Sequence, residues 1–204
     1  YIGDNTMTFL YNIVIALVIT VIVTAVVTYL LSLRFEKNND SLKEDTLSIV
    51  LGDEEVTSPA KGTIKPLSEA EDEAFSSKAL GDGIVIEPTD GEIVAPFDGE
   101  ITVLFPTKHA IGLLSKQGME LLIHIGIDTV QLNGEGFEAF VEQGQKVKKG
   151  DKLVYADLKR IEEKGFSTQI PVVVTNTATY QSIETNSNIT ADYSTVIIKT
   201  SKGE

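Results

Sequence analysis

The chain has 204 residues, a formal net charge of −13, and neither Cys nor Trp. That charge argues against a nucleic-acid partner, because no basic stripe is present to neutralise phosphates. Without cysteine, this stretch has no disulfide, no thiolate nucleophile and no cysteine-type zinc site. The length suits one domain of ordinary size plus an additional segment, and the start at Tyr1 rather than Met reads as a piece of a longer protein.

The first element in the chain is the run from Met7 to Leu33, which carries no charged residue. As a helix it would reach about 40 Å at roughly 1.5 Å per residue. That exceeds the roughly 30 Å hydrocarbon core of a bilayer, so it can span with tilt. The many β-branched residues (Ile13, Val14, Ile15, Val18, Ile19) disfavour a helix in water, but lipid enforces one by demanding internal backbone bonding. A secretory signal fits poorly: no basic region precedes the run, and no small-residue cleavage site follows. Arg34 and Lys37 follow the span and only Asp4 precedes it, so the positive-inside rule puts the rest in the cytoplasm. Residues 1–34 therefore read as a membrane span.

Residues 35–57 are polar and acidic and read as a flexible tether, with a short apolar interruption from Thr46 to Leu51. Beyond them, residues 58–204 switch to short β-prone runs. Examples are Ile84–Ile86, Glu92–Val94, Ile101–Phe105, Leu121–Ile123, Lys152–Tyr155, Ile170–Val174 and Thr195–Lys199. Gly81-Asp82-Gly83, Asp90-Gly91, Asp98-Gly99 and Lys149-Gly150-Asp151 punctuate them. Many short strands at this spacing predict an all-β antiparallel sandwich. One short helix is expected over Leu158–Lys164, with Asp157 as N-cap and Gly165 just past its end.

Only two histidines are available for chemistry, His109 and His124. His124 sits in Leu121-Leu122-Ile123-His124-Ile125-Gly126-Ile127-Asp128-Thr129-Val130, an apolar run around one imidazole. A neutral imidazole can act as nucleophile, proton shuttle or metal ligand. By itself such a histidine is more often a bonded core residue. If 121–125 is a strand, alternation puts Leu122 and His124 on one face and Ile123 and Ile125 on the other. Asp128 can either face the site or satisfy a turn.

Two segments narrow the fold further: Pro96-Phe97-Asp98-Gly99-Glu100-Ile101, and Gly144-Gln145-Lys146-Val147-Lys148-Lys149-Gly150-Asp151-Lys152-Leu153. They resemble the barrel-sandwich hybrid shared by lipoyl and biotinyl carriers, some zinc peptidases and sugar-phosphotransferase enzyme IIA domains. A biotinyl carrier would need a lysine flanked by methionines, and neither Met7 nor Met119 flanks one. A zinc peptidase would need a further histidine beyond its ligands.

The stretches Gly81-Asp82-Gly83-Ile84, Val94-Ala95-Pro96-Phe97-Asp98-Gly99, Thr107-Lys108-His109-Ala110 and His124-Ile125-Gly126-Ile127-Asp128-Thr129-Val130 carry a closer resemblance. With Leu132-Asn133-Gly134-Glu135-Gly136-Phe137, they make residues 58–200 similar to the glucose-type enzyme IIA of the bacterial phosphoenolpyruvate-dependent sugar phosphotransferase system. The resemblance implies that His124 accepts a phosphoryl group from the phosphocarrier HPr and passes it to a cysteine of enzyme IIB. It implies that His109 faces His124 and stabilises the phosphate and that Thr107 orients His109; Gly126 follows His124 closely enough for its backbone carbonyl to hold Nδ1–H, leaving Nε2 to attack. It further implies a docking face of Phe75, Ala79, Leu80, Phe105, Leu122 and Val130.

Behind a membrane helix, such a domain looks like the end of a fused permease whose enzyme IIC part lies in the membrane. This gives a cell-membrane location with the enzyme IIA domain in the cytoplasm. No cofactor is implied beyond the phosphohistidine. Zinc would bind only at a partner interface, across His109 and His124, with a carboxylate from the partner. The rival reading is a regulatory binding module whose hold on cytoplasmic enzymes depends on phosphorylation.

Overall fold

The computed structural model describes residues 52–202. The expected span at Met7–Leu33, and the tether up to residue 51, lie outside the described residues. Among the described residues, no helix is long and apolar enough to cross a membrane.

Among the described residues, fourteen strands follow in chain order. They are β1 (Glu54–Thr57), β2 (Gly62–Pro66), β3 (Asp82–Pro88), β4 (Glu92–Val94), β5 (Gly99–Leu104), β6 (Ala110–Ser115) and β7 (Glu120–His124). After these come β8 (Phe137–Ala139), β9 (Lys146–Val147), β10 (Lys152–Ala156), β11 (Ile170–Val174), β12 (Ser182–Thr185), β13 (Ile189–Ala191) and β14 (Val196–Ser201). All pairings are antiparallel. The main sheet runs β13-β2-β3-β11-β7-β6-β5-β9, and two three-stranded sheets run β1-β14-β12 and β4-β10-β8. The all-β antiparallel expectation is met.

One continuous core joins the sheets: Ile84 and Ile86 of β3, Ile111 and Leu113 of β6, Leu121 and Ile123 of β7, and Ile170, Val172 and Val174 of β11. β11 is buried at all five positions because both of its faces are covered. A second, smaller apolar cluster lies on the other face, where Leu67, Ala70 and Phe75 pack with Val85, Ile127 and Val173. The segment 67–76 thus roofs the outer face of β3 and β11, and half-buried Leu122 of β7 packs at its margin.

The expected helix is present as α2 (Leu158–Glu163). Asp157 caps it by accepting from Arg160 N, and Gly165 takes φ +84° just beyond its end. An unexpected single turn, α1 (Glu73–Ser76), carries Phe75 and is capped by Asp72, whose carboxylate accepts from Ala74 N at 2.7 Å. Four residues are too few to show a 3.6-residue period. Residues 54–57 are strand rather than tether: β1 pairs with β14, and Val56 is fully buried. The acidic run disguised it, because Glu54 is buried and accepts from the Ser115 hydroxyl at 2.6 Å.

Candidate functional site

His124 is the last residue of β7. The strand alternates as expected, with Leu121 and Ile123 buried and Leu122 and His124 half-buried on the outer face. Across the ladder, His124 pairs with Ala110, the first residue of β6. His109 immediately precedes that residue, and its carbonyl accepts from Ile125 N at 2.7 Å. Two strand ends thus bring the only two histidines of the chain together, with ring centroids 5.0 Å apart and planes at 81°.

The backbone turns sharply after His124. Gly126 takes φ +76°, and a Cβ there would collide with the Thr129 methyl and lie 2.9 Å from the Ser167 carbonyl. This conformation aims the Gly126 carbonyl back at the imidazole, 2.7 Å from Nδ1 of His124. A carbonyl only accepts, so Nδ1 carries the proton and Nε2 keeps its lone pair. The turn is tied on both sides: Thr129 Oγ1 donates to Ile125 O at 2.6 Å, and Gly126 N donates to Gln169 O at 2.9 Å.

His109 follows the β5–β6 loop and is buried. Thr107 Oγ1 lies 2.6 Å from its Nδ1. Phe75 packs against the His124 ring at 5.2 Å, and Phe105 against the His109 ring at 5.4 Å. The two imidazoles are therefore flanked by aromatic rings. Burial pushes His109 down to about 4, helped by the neighbouring charge when His124 is protonated. Burial also lowers His124, opposed by the Gly126 carbonyl and then by the carboxylates of Asp72 and Asp128. Both imidazoles are neutral at pH 7, the state an imidazole nucleophile requires.

Asp128 is exposed and takes part in the turn after β7 through its backbone. Its backbone sits at φ 60°, its carbonyl accepts from Gln131 N at 3.1 Å, and its carboxylate favours the His124 cation. Phe105, whose ring packs on His109, is exposed (42%), and Leu80 (43%), Val130 (49%) and Ala79 are exposed as well. Phe75 departs from the expected docking face: it is 5% exposed and belongs to the smaller cluster. It forms part of the roof over β3 and β11 and packs against the His124 ring from within that cluster. Asp72 and Gln169 were not signalled by the sequence; each lies in a loop far from both histidines in the chain. Among the described residues, no group of three or more His, Cys, Asp or Glu side chains is placed to hold a metal.

A neutral imidazole with one nitrogen fixed and the other free, beside a second neutral imidazole on an all-β domain, has the chemistry to take up a group and pass it on. The family model for the phosphoenolpyruvate-dependent sugar phosphotransferase system, EIIA 1, matches residues 54–180. The glucose-specific EIIA component of Bacillus anthracis is 48% identical over 139 residues, covering 68% of this chain and 84% of that protein. The beta-glucoside-specific EIIBCA component of Halalkalibacterium halodurans is 47% identical over 127 residues, 62% of this chain but 20% of its own length. The solved structure of glucose permease IIA from Mycoplasma capricolum superposes with a TM-score of 0.68 at 41% identity, covering 72% of this chain and 95% of that one. This chain belongs to the EIIA 1 family, and it is a phosphocarrier component of a sugar phosphotransferase system.

Proposed function

We propose that Nε2 of His124 is the atom that carries the phosphoryl group. The observation that carries this reading is the 2.7 Å hydrogen bond from His124 Nδ1–H to the Gly126 carbonyl, which leaves Nε2 as the only nucleophilic nitrogen of the ring. In the forward step, the N–P bond on HPr breaks as the Nε2 lone pair forms a new one. In the second step, a cysteine thiolate of enzyme IIB displaces His124, and the imidazole returns neutral. Each step exchanges one high-energy bond for another, so positioning and charge stabilisation carry the catalysis.

His109 supplies that stabilisation. With the Thr107 hydroxyl donating to Nδ1, the His109 proton sits on Nε2 and points a hydrogen bond toward the phosphoryl oxygens. Ala79, Leu80, Phe105, Leu122 and Val130 form the apolar face on which HPr and enzyme IIB dock in turn, as an exposed patch with a polar rim would serve a transient interface.

The kinship with a fused EIIBCA protein supports a place at the end of a fused permease, behind an enzyme IIC span at Met7–Leu33. The location is then the cell membrane, with this domain in the cytoplasm. A tether on the cytoplasmic side would hold His124 at high effective concentration near its enzyme IIB.

The test is phosphoryl transfer from phosphoenolpyruvate through enzyme I and HPr onto the chain, beside His124→Gln and His109→Gln. Acid-labile, base-stable label is expected on the parent and none on His124→Gln. His109→Gln should still accept label but hand it to enzyme IIB about 100-fold more slowly, the loss typical of one positioned donor. An unlabelled parent with active donors, or a labelled His124→Gln, would overturn the assignment.

A further inference from the structure

Gln169 joins the two loops that flank His124, and the proposed reaction gives it no role. Its own carbonyl accepts from Gly126 N at 2.9 Å, one residue-length behind the carbonyl that fixes His124 Nδ1. Its side chain reaches the other way. Oε1 accepts from Glu71 N at 2.9 Å, and Nε2 donates to Glu69 O at 3.4 Å. Residues 69–71 lead directly into Asp72, the cap of α1, and α1 carries the Phe75 ring that packs on His124.

Gln169 is 7% exposed although the loop residues it holds, Glu69 and Glu71, are exposed. A buried amide whose oxygen and nitrogen are both satisfied by the backbone of one distant loop is a clamp, because loss of either bond leaves a buried polar group unpaired.

We propose that Gln169 is a positioning residue for phosphoryl transfer: it fixes the Asp72–Phe75 segment against the His124 ring while its main chain fixes the Gly126 turn from the opposite side. The proposal rests on His124 being the phosphoryl carrier. Three titratable groups face His124: His109 from the start of β6, Asp72 from the cap of α1, and Asp128 from the turn after β7. Only Asp72 sits on the clamped segment. Phe75 packs on the His124 ring and burial is the largest influence on that imidazole, so releasing the ring is expected to let it titrate nearer its ordinary value.

The experiment compares the parent with Gln169→Leu, which keeps volume and removes both hydrogen bonds, and Gln169→Glu, which keeps an acceptor for Glu71 N but has no donor for Glu69 O. Three readouts are taken: amide exchange at Glu71, the His124 titration midpoint by NMR, and the rate of phosphoryl acceptance from HPr. In the parent, the Glu71 amide should exchange at least about tenfold more slowly than an unbonded amide. In Gln169→Leu that protection should vanish, the His124 midpoint should rise toward 6.5, and acceptance should fall about tenfold, as expected of a small misplacement. Gln169→Glu should retain Glu71 protection and lose less of the rate.

An unprotected Glu71 amide in the parent would overturn the clamp without any variant. So would a Gln169→Leu protein with the parent's His124 midpoint and rate. If the parent accepts no phosphoryl group, the carrier assignment fails, and exchange and titration still report on the clamp.

Discussion

At the scale of single residues, the site depends on one peptide unit. Gly126 must take a positive φ and lie against Thr129 and Ser167, and only a residue without Cβ does both. Gly126→Ala should cost about 3 kcal/mol of stability. It should also rotate the carbonyl away from His124, so that both imidazole nitrogens become available. Urea denaturation measures the first effect, and nitrogen chemical shifts of His124 measure the second. A stable Gly126→Ala protein with Nδ1 still protonated would contradict the account. The Gly126 carbonyl on Nδ1 of His124 was already an expectation from the sequence, whereas the clash with Thr129 and Ser167 that requires Gly there was not legible. Asp72 was not legible at all, because its influence on His124 depends on where the roof segment packs rather than on spacing in the chain.

At the scale of elements, β7 does what its alternation dictates, and the β6–β7 ladder brings His109 beside it. The apolar residues around the site divide into two kinds that the sequence could not separate. Phe75 is buried under its own segment, while Phe105 is exposed on the loop after β5. Phe75→Ala should therefore destabilise the domain by about 3–5 kcal/mol. Phe105→Ala should change stability by about 0.5 kcal/mol or less and weaken HPr binding about tenfold or more. Thermal unfolding with NMR titration of HPr checks both; equal stability losses would show that Phe105 is core. A single-turn α1 and a four-residue β1 escaped the sequence reading for the same reason. Each is stabilised by what it packs against, since neither is long enough to declare a period.

At the scale of the whole molecule, the burial of two uncharged imidazoles makes stability depend on pH. His109 binds its proton near 4 in the folded state and near 6.5 when unfolded, and His124 is shifted in the same direction. Between those values the unfolded chain holds more protons, so stability rises with pH there. The contribution is complete above about 6.5 and is lost as pH falls through about 4. Glu54 works in the opposite sense: burial raises its carboxyl above the usual carboxylate range, against the opposing Ser115 hydrogen bond. Its penalty is relieved as pH falls. Comparing the parent with His109→Gln removes the Glu54 part, which is common to both. The slope of unfolding free energy against pH from 4 to 6.5 should be shallower in His109→Gln. Equal slopes would mean that His109 titrates normally in the folded protein.

What the sequence determined by itself was whatever depends on local period and residue type. Strand alternation, Gly and Asp punctuation and the caps of α2 gave the all-β antiparallel class, and the paired His motifs gave the family. Those signals are short-range, set by backbone sterics and by which side of a strand meets water. Tertiary structure alone decided that Phe75 is roof rather than docking face, that residues 54–57 are strand, and that Gln169 ties the Glu69–Glu71 loop to the Gly126 turn. These depend on contacts between segments up to about a hundred residues apart, as with Gln169 and Glu71. Their energies come from burial and from pairing buried polar groups, which exist only once the sheets have closed.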